Sequence, residues 1–330
     1  MRLTRLGLVG ALVAAGACDD GSGPTTPDAV TPDEITTDMQ GTIQFDGKVH
    51  VFPVRGRQAA SGVGTVGTGI FYHGGPIVPA TKVVAIYWAS RRVYTSGPAP
   101  GTTGTGAQDA SLIGHFLRNL GGSPYFNINT TYTDNVNGGH RVGNSVAYSR
   151  FWADNTNVPP SDGTPVSNTA IVQEIVRGFN SGKLTYNAST LYVVFTYGRT
   201  NLGGGFGTDY CAYHSYFTFN GKVVLFAAQP YNYAFPAACS TQTASPNNNP
   251  AADAEVNTLA HETEETATDP RLNAWYDSQG FENADKCAWT FGRTYTNANG
   301  GLANMNLGGK DFLIQRNWIN SGTGGCRLRA

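Results

Sequence analysis

A histidine followed by two glutamates is the part of the sequence best suited to chemistry. His261, Glu262 and Glu265 form the pattern His-Glu-x-x-Glu. On a helix, residues four apart lie one turn above each other, so His261 and Glu265 can bind the same cation. Glu262 would then act as the general base that takes a proton from a metal-bound water. The pattern therefore predicts a zinc site of the kind that metal-dependent hydrolases use.

A catalytic zinc ion needs a third protein ligand and an open position, and the helix supplies only two ligands. The segment that follows is acidic. We predict that Glu282 is the third ligand and that Asp285 accepts a hydrogen bond from the imidazole. Asp269 is the rival third ligand, because it lies eight residues past His261, where the helix should end.

Two other interpretations of this segment remain open. Its glutamates could form a solvated helix face, with His261 exposed or capped. The carboxylates of Asp269, Asp277 and Glu282 could instead bind calcium, which takes oxygen ligands and not imidazole. A chance His-Glu-x-x-Glu pattern is improbable in a chain with only six histidines and 14% charged residues. We therefore favour a metal site, with zinc preferred to calcium.

The other five histidines are expected to have structural roles. His115 lies between apolar residues of an amphipathic segment, and His50 and His140 lie in loop-like sequence without visible partners. His73 and His214 are flanked by turn or disulfide residues that could fix their rings. None of the five is predicted as a ligand.

The candidate ligands require a long helix, and the sequence marks both of its ends. Asn249 is a capping residue, and Pro250 follows it at the first helical position. Asp269-Pro270 predicts the end of the helix, since a residue before proline avoids the helical conformation. The site would therefore lie near the C-terminal end of a helix at residues 250–267.

Apolar runs typical of buried strands alternate with amphipathic helical patterns elsewhere in the chain. The strand patterns cover residues 83–88, 191–196 and 223–228, and the helical patterns cover residues 109–120 and 168–180. This alternation predicts an α/β fold with a mixed sheet flanked by helices. We expect a single domain at residues 70–330, with long loops rich in glycine and asparagine and with a zincin-like active helix.

The N-terminus is typical of an exported protein. Residues 1–17 combine two arginines with an apolar run too short to span a bilayer, which predicts a signal peptide. Small residues lead into Cys18 as in a bacterial lipoprotein signal, so we expect lipidation of Cys18; ordinary cleavage that leaves a free thiol is the alternative. Residues 18–69 would form a lipid anchor, a flexible tether and an N-terminal extension in which residues 43–54 alternate like a pair of strands.

The remaining cysteines are even in number, as expected in an oxidising compartment. They are Cys211, Cys239, Cys287 and Cys326. Three pairings are possible, and we predict the local one, Cys211 with Cys239 and Cys287 with Cys326. The sequence contains no C-x-x-C pair, which argues against a thiolate zinc site.

Composition excludes several classes of function. The chain has 22 Lys+Arg against 23 Asp+Glu, so it offers no basic surface for a phosphate backbone, and we predict no nucleic-acid partner. Neither a G-x-S-x-G pattern nor a phosphate-binding loop occurs. With 40% hydrophobic residues the chain can form a core. The lipid anchor would be its only contact with a membrane.

Several short motifs follow one another between residues 70 and 326. They are Phe71-Tyr72-His73-Gly74-Gly75-Pro76, the strand at 83–88, Cys211-x-x-His214, Asp269-Pro270, Asn273-Ala274-Trp275-Tyr276, Asp285-x-Cys287 and Cys326. In this order they resemble the EXORDIUM/phosphate-induced protein family. The resemblance implies an exported, disulfide-containing α/β protein of the cell envelope or wall. Plant members look like extracellular growth-related factors without an established catalytic role, and they carry a similar His-Glu-x-x-Glu element.

Two functions follow from these observations. The first is an exported, envelope-associated zinc peptidase that acts on a peptide or cell-wall substrate, with His261, Glu265 and Glu282 or Asp269 as ligands and Glu262 as the base. The second is a non-catalytic extracellular protein that contacts cell-wall glycan and contains a structural metal site.

Overall fold

Strands and a few helices make up the part of the chain that the computed structural model describes, residues 41–56 and 69–330. The strands are, in chain order, β1 (Ile43–Gln44), β2 (His50–Pro53), β3 (Phe71–Tyr72), β4 (Thr81–Tyr87), β5 (Thr103–Thr105), β6 (Val146–Trp152), β7 (Thr190–Phe195), β8 (Tyr210–Phe219), β9 (Lys222–Gln229), β10 (Trp275–Tyr276), β11 (Tyr295–Thr296), β12 (Leu302–Ala303), β13 (Met305–Leu307), β14 (Lys310–Phe312), β15 (Asn317–Ile319) and β16 (Gly325–Arg327). The helices are α1 (Leu112–Leu120), α2 (Asn168–Asn180), α3 (Pro236–Cys239) and α4 (Pro250–Thr268). None of these helices is long and apolar enough to cross a membrane.

One mixed sheet organises the fold. Its strand order is β1-β8-β9-β7-β4-β6-β5, and β2 also pairs with β8. The four central strands β6, β4, β7 and β9 run parallel, whereas β5, β8, β1 and β2 pair antiparallel with their neighbours. The predicted α/β fold with a mixed sheet in a single domain is confirmed.

The sheet is covered on both faces, which explains its apolar central strands. Alternate residues of β4 point to opposite faces: Val83 and Ala85 belong to a core under α1 and α4, while Val84 and Ile86 belong to a core under α2. The three predicted strands and the two predicted amphipathic helices therefore occupy the positions that their apolar patterns indicate.

The N-terminal strands extend the sheet beyond the predicted start of the domain at Ile70. β1 and β2 do not pair with each other, and both pair antiparallel with β8. The ten-residue β8 is long enough to align both short strands along one edge. The predicted signal peptide and Cys18 lie outside the described residues.

Helix α4 is buried along almost its whole length. Every residue from Ala252 to Thr268 is shielded from solvent, because the helix packs between the sheet strands β8 and β9 on one side and α1 and the C-terminal segment on the others. The alternative of a solvated helix face is therefore wrong. Four glutamates of this helix lie in the protein interior, where each carboxylate requires a partner.

Two disulfides fix the chain on either side of α4. Cys211 of β8 is bonded to Cys239 of α3, and Cys287 is bonded to Cys326 of β16. This is the predicted local pairing. The second bridge holds the segment just after α4 against the C-terminal hairpin formed by β15 and β16.

We expect both bridges to contribute to stability, since they close loops of 28 and 39 residues. Replacing either pair by serine should lower the free energy of unfolding by about 3–4 kcal/mol, according to the loop-closure model. Urea unfolding of the two double-serine variants beside the wild type measures this loss. A variant with unchanged unfolding free energy would show that its two thiols are not bonded in the native protein.

Candidate metal centre

The pairing of β2 with β8 places two histidines side by side. His50 and His214 are directly opposite each other in this antiparallel pair, and such pairs point to the same face of the sheet. Their ring centroids are 5.5 Å apart. Both rings face the carboxylates of Glu262, Glu265, Glu282 and Asp285, which together with His50, His214 and His261 form a histidine–carboxylate cluster beside α4. The sheet thus supplies two imidazoles for which the sequence predicts only structural roles.

His50, Glu265 and Asp285 form one group that can hold a cation. Nε2 of His50 lies 2.6 Å from Oδ2 of Asp285 and 3.8 Å from Oε2 of Glu265. One ligand atom from each residue lies within 4.8 Å of the other two. Since α4, β2 and the segment after α4 each provide one ligand, the group exists only in the folded chain.

His214, Glu262 and Glu265 form a second group of the same kind. Nδ1 of His214 lies 3.1 Å from Oε2 of Glu262 and 3.6 Å from Oε2 of Glu265. Their ligand atoms also lie within 4.8 Å of one another, and all three residues are buried. Glu265 is thus shared by both groups.

His261 lies beside Glu265 and Asp285, and hydrogen-bonding contacts surround its ring. Nε2 of the ring is 3.0 Å from Oε1 of Glu265 and 3.4 Å from Oδ1 of Asp285. The amide nitrogen of Gln315 is 3.1 Å from Nδ1 of His261 and donates to the carbonyl of Ala284. An amide nitrogen can only donate, so in the neutral ring Nδ1 accepts and the proton is on Nε2. Nε2 then faces the carboxylates of both Glu265 and Asp285.

Glu282 and Asp285 both lie beside the imidazoles, but they face different ring nitrogens. Asp285 faces the ring nitrogens of His50 and His261 from within the first group. Oε1 of Glu282 instead lies 3.5 Å from Nδ1 of His50 and 3.8 Å from Nε2 of His214, the nitrogens that face away from Glu265. A carboxylate behind a metal-binding imidazole orients the ring and fixes its tautomer.

The carboxylates of the calcium alternative have separate partners. Asp269 ends α4 and accepts backbone hydrogen bonds from Asn273 and Ala274 at 2.6 and 2.7 Å. Asp277 pairs with Lys286, whose Nζ lies 2.8 Å from Oδ2. Glu282 lies with the histidines. The structure thus brings Glu282 together with His261, Glu262, Glu265 and Asp285. Asp269 stabilises the turn after the helix through Oδ1, while its buried Oδ2 has no hydrogen-bond partner. Burial raises the pKa of Glu282, and the charge of Asp269 raises it further.

Burial shifts the acid–base properties of the carboxyls. It raises the pKa of Glu262, Glu265 and Glu282, because a buried carboxylate loses its hydration. For Asp285 burial acts in the same direction, but the neighbouring His50 outweighs it and keeps the pKa of Asp285 below its ordinary value. The carboxylates of the cluster therefore depend on nearby positive charge for their ionisation.

The surroundings raise the pKa of His50 and His261 and lower the pKa of His214. Burial disfavours a charged His50, yet the carboxylates of Asp285 and Glu265 overcome this effect and raise the pKa of His50 to about 9. Burial also opposes a charged His261, but the adjacent carboxylate of Glu265 outweighs this effect and raises the pKa of His261. Burial, followed by the neighbouring rings of His50 and His261, lowers the pKa of His214. A neutral His214 keeps a nitrogen lone pair for a cation.

Several buried polar atoms of the cluster have no well-aligned hydrogen bond. They are Nε2 of His214 and His261, Oε1 of Glu262, and Oε2 of Glu265 and Glu282. Buried polar atoms without partners are costly in free energy. Imidazole nitrogen and carboxylate oxygen are also ligands of zinc and related ions. The residues present therefore fit a divalent cation.

Comparison with known proteins agrees with the family resemblance. A family model described as the phosphate-induced protein 1 conserved region matches residues 122–313. This region covers more than half of the chain and includes His214, α4 and Asp285, but it begins after His50. No curated protein and no solved structure matches the chain.

Glu255 lies on α4 outside the cluster, and it allows the effect of burial on a carboxyl pKa to be tested. Burial raises the pKa of its carboxyl to about 8, although the backbone and side chain of Asn232 donate hydrogen bonds to it. A carboxyl whose pKa is higher in the folded state than in the unfolded state stabilises the fold at low pH. That stabilisation disappears as the pH rises from about 5 to about 8.

We therefore expect Glu255→Gln, which does not ionise, to gain stability relative to the wild type across this pH range. Urea unfolding of both proteins at pH 5, 6.5 and 8 gives the difference in unfolding free energy. A difference that stays constant with pH would contradict the assignment of a raised pKa to Glu255.

Proposed function

We propose that the histidine–carboxylate cluster of this chain, which belongs to the phosphate-induced protein 1 family, binds a divalent transition metal and catalyses hydrolysis. The observation that carries this proposal is the convergence of His50, Glu265 and Asp285 from three separate elements. Mixed nitrogen and oxygen ligands favour zinc over calcium, which takes oxygen ligands. The imidazole ligand is His50 in this proposal, and His261 orients the carboxylates.

The edge of the cluster at His50 supports a catalytic use of the site. The side chain of His50 is 19% exposed, whereas that of Asp285 is 4% exposed and that of Glu265 is fully buried. A catalytic zinc site has three protein ligands and a fourth position open to water or substrate. The open position would therefore lie beside His50, where solvent reaches the group.

Glu262 remains the proposed general base. A bound divalent ion lowers the pKa of a water toward 7 and polarises a substrate carbonyl. Glu262 would take one proton from that water through Oε1, which has no hydrogen-bond partner, while Oε2 faces His214. The water oxygen would add to the carbonyl carbon, and Glu262 would pass its proton to the leaving amine as the C–N bond breaks. The substrate would be a peptide or a peptide of the cell wall.

A non-catalytic function has two observations in its favour. His214, His261 and Glu262 are completely buried, so the cluster could instead stabilise the fold as a structural metal site. A cavity of about 540 Å³ lies where β4 and β7 end, lined in part by Trp88, Arg91, Tyr197, Pro159 and Arg199. Ligands commonly bind beyond the carboxyl ends of parallel strands. This cavity is the proposed glycan site of the alternative function.

Substitution of Glu262 separates the two functions. We expect Glu262→Gln to retain at least one equivalent of zinc and to lose about 10²- to 10⁴-fold in the rate of peptide cleavage, the usual contribution of a general base. Glu264→Gln is the matched control, since Glu264 is the other buried glutamate of the same helical turn and does not belong to the two ligand groups.

Rates are measured on a peptide library with zinc-loaded protein, and zinc is measured by elemental analysis. Zinc-loaded wild type that cleaves no peptide, or Glu262→Gln at the wild-type rate, would contradict the hydrolase. Less than about 0.2 equivalents of zinc in the wild type would contradict both metal-dependent functions, because ligand convergence without metal uptake does not make a site.

The location of the protein follows from the same family and from its disulfides. Two disulfides and the family indicate an extracellular protein. We propose in addition that lipidation of Cys18 attaches it to the membrane of the cell envelope. A lipid chain on Cys18 would hold the folded domain at the membrane, within reach of wall material.

Replacing Cys18 by serine should move the protein from the membrane fraction to the soluble fraction, because the thiol that receives the lipid is lost. Fractionation with mass analysis of the mature N-terminus measures both effects. The double variant lacking Cys287 and Cys326 serves as the control for loss of cysteine elsewhere. Unchanged fractionation together with an unmodified mass would rule out the lipid anchor.

A further inference from the structure

We propose that the cluster binds two divalent ions, with Glu265 as a bridging carboxylate between them. The inference rests on the proposed metal-binding function and deepens it. His50, Glu265 and Asp285 would hold the first ion, and His214, Glu262 and Glu265 would hold the second. In proteins with two-metal sites the ions lie about 3.5–4 Å apart, and together they stabilise the attacking and the leaving oxygen atoms of the reacting group.

The position of Oε2 of Glu265 is the first argument for a bridge. This oxygen lies 3.8 Å from Nε2 of His50 and 3.6 Å from Nδ1 of His214, two nitrogens on different strands. Ligand atoms around one tetrahedral zinc ion are separated by about 3.4 Å, given zinc–ligand distances of 2.0–2.2 Å. One carboxylate oxygen is thus placed at ligand spacing from two separate imidazoles.

Hydrogen bonding divides the two oxygens of Glu265 between different tasks. Oε1 accepts the backbone N–H of Asp285 at 3.0 Å and faces Nε2 of His261. These contacts fix the carboxylate plane. Oε2 is buried and has no hydrogen-bond partner. It is therefore available to bind cations on both sides.

The ring nitrogens are arranged for two separate ions. His50 faces Glu265 and Asp285 with Nε2, while His214 faces Glu265 and Glu262 with Nδ1. In both rings the opposite nitrogen is the one nearest Glu282. Nε2 of His50 and Nδ1 of His214 share their protons with Asp285 and Glu262. Two cations would displace these protons, and Glu282 would then be the carboxylate nearest the remaining N–H group of each ring.

Charge balance also favours two ions. Four carboxylates lie in the cluster, those of Glu262, Glu265, Glu282 and Asp285, and all are nearly inaccessible to solvent. Buried charges require compensation by opposite charge. Two divalent ions carry enough positive charge to compensate all four carboxylates, whereas one ion compensates two of them and leaves the other two to protonated imidazoles. Glu262 would bind the second ion through Oε2 and keep Oε1 free for its role as base.

The test is the number of ions bound by the full-length protein after chelation and reloading with Zn²⁺ alone or Mn²⁺ alone. We expect about two equivalents in the wild type, about one in His214→Ala, and less than about 0.2 in Glu265→Gln, which lacks the shared ligand. His73→Ala is the control for loss of a histidine outside the cluster, because His73 stacks on Tyr276; it should retain two. The Mn²⁺-loaded wild type should show the paramagnetic-resonance signal of two coupled ions, and His214→Ala that of an isolated ion.

Glu262→Gln repeats the test with a side chain of nearly the same shape, in case His214→Ala does not fold. It should bind about one equivalent. Saturation of the wild type at one equivalent, or two equivalents retained by both His214→Ala and Glu262→Gln, would overturn the two-ion centre while leaving the single-ion hydrolase intact. A wild type that binds no ion would overturn both proposals.

Discussion

The burial of ionisable side chains on one helix is the constraint on which the rest of the structure depends. Glu262 and Glu265 lie with His261 at positions of α4 that are completely shielded from solvent. Uncompensated carboxylates at such positions would oppose folding, since their hydration is lost without replacement. The surrounding elements must therefore bring imidazoles, amides and backbone donors to this helix, and their arrangement follows from that need.

Each surrounding element meets a part of this requirement. The edge strands β2 and β8 align His50 with His214 and direct both rings to the helix. The segment after α4 brings Asp285, whose backbone N–H is donated to Glu265, and the bridge from Cys287 to Cys326 holds that segment in place. These contacts join residues that are far apart in sequence, so the cluster and the fold form together.

Such a cluster could serve either catalysis or stabilisation of the fold by a bound metal. The distinction depends on whether water and substrate can reach the ligands. The partial exposure of His50 gives the cluster one edge toward solvent, and this edge is what favours hydrolysis in the proposed function. The family match covers the helix and β8 but not β2. His50 thus comes from a segment outside the matched region, and the proposed hydrolysis depends on its access to solvent.

The sequence by itself determined the local features of this protein: the bounds of α4, the central strands, the mixed α/β architecture and the pairing of neighbouring cysteines. These follow from apolar periodicity, capping residues and short loop closure, which act over a few residues or along one continuous segment. It also identified Glu262 and Glu265 as candidate site residues, because their spacing on a helix is itself a local property. Alternation around residues 43–54 was the only sequence signal that could have placed His50 on a strand.

Only the tertiary structure decided which imidazoles complete the cluster. His50 and His214 are 164 positions apart, and their register along β2 and β8 has no local signature. The positions of Asp285 and Glu282 beside the imidazoles follow from where the chain returns after α4, and the amide of Gln315 contacts the ring of His261. Ligand geometry is set by contacts between distant segments, and these exist only when the sheet, the helix and the C-terminal segment pack together.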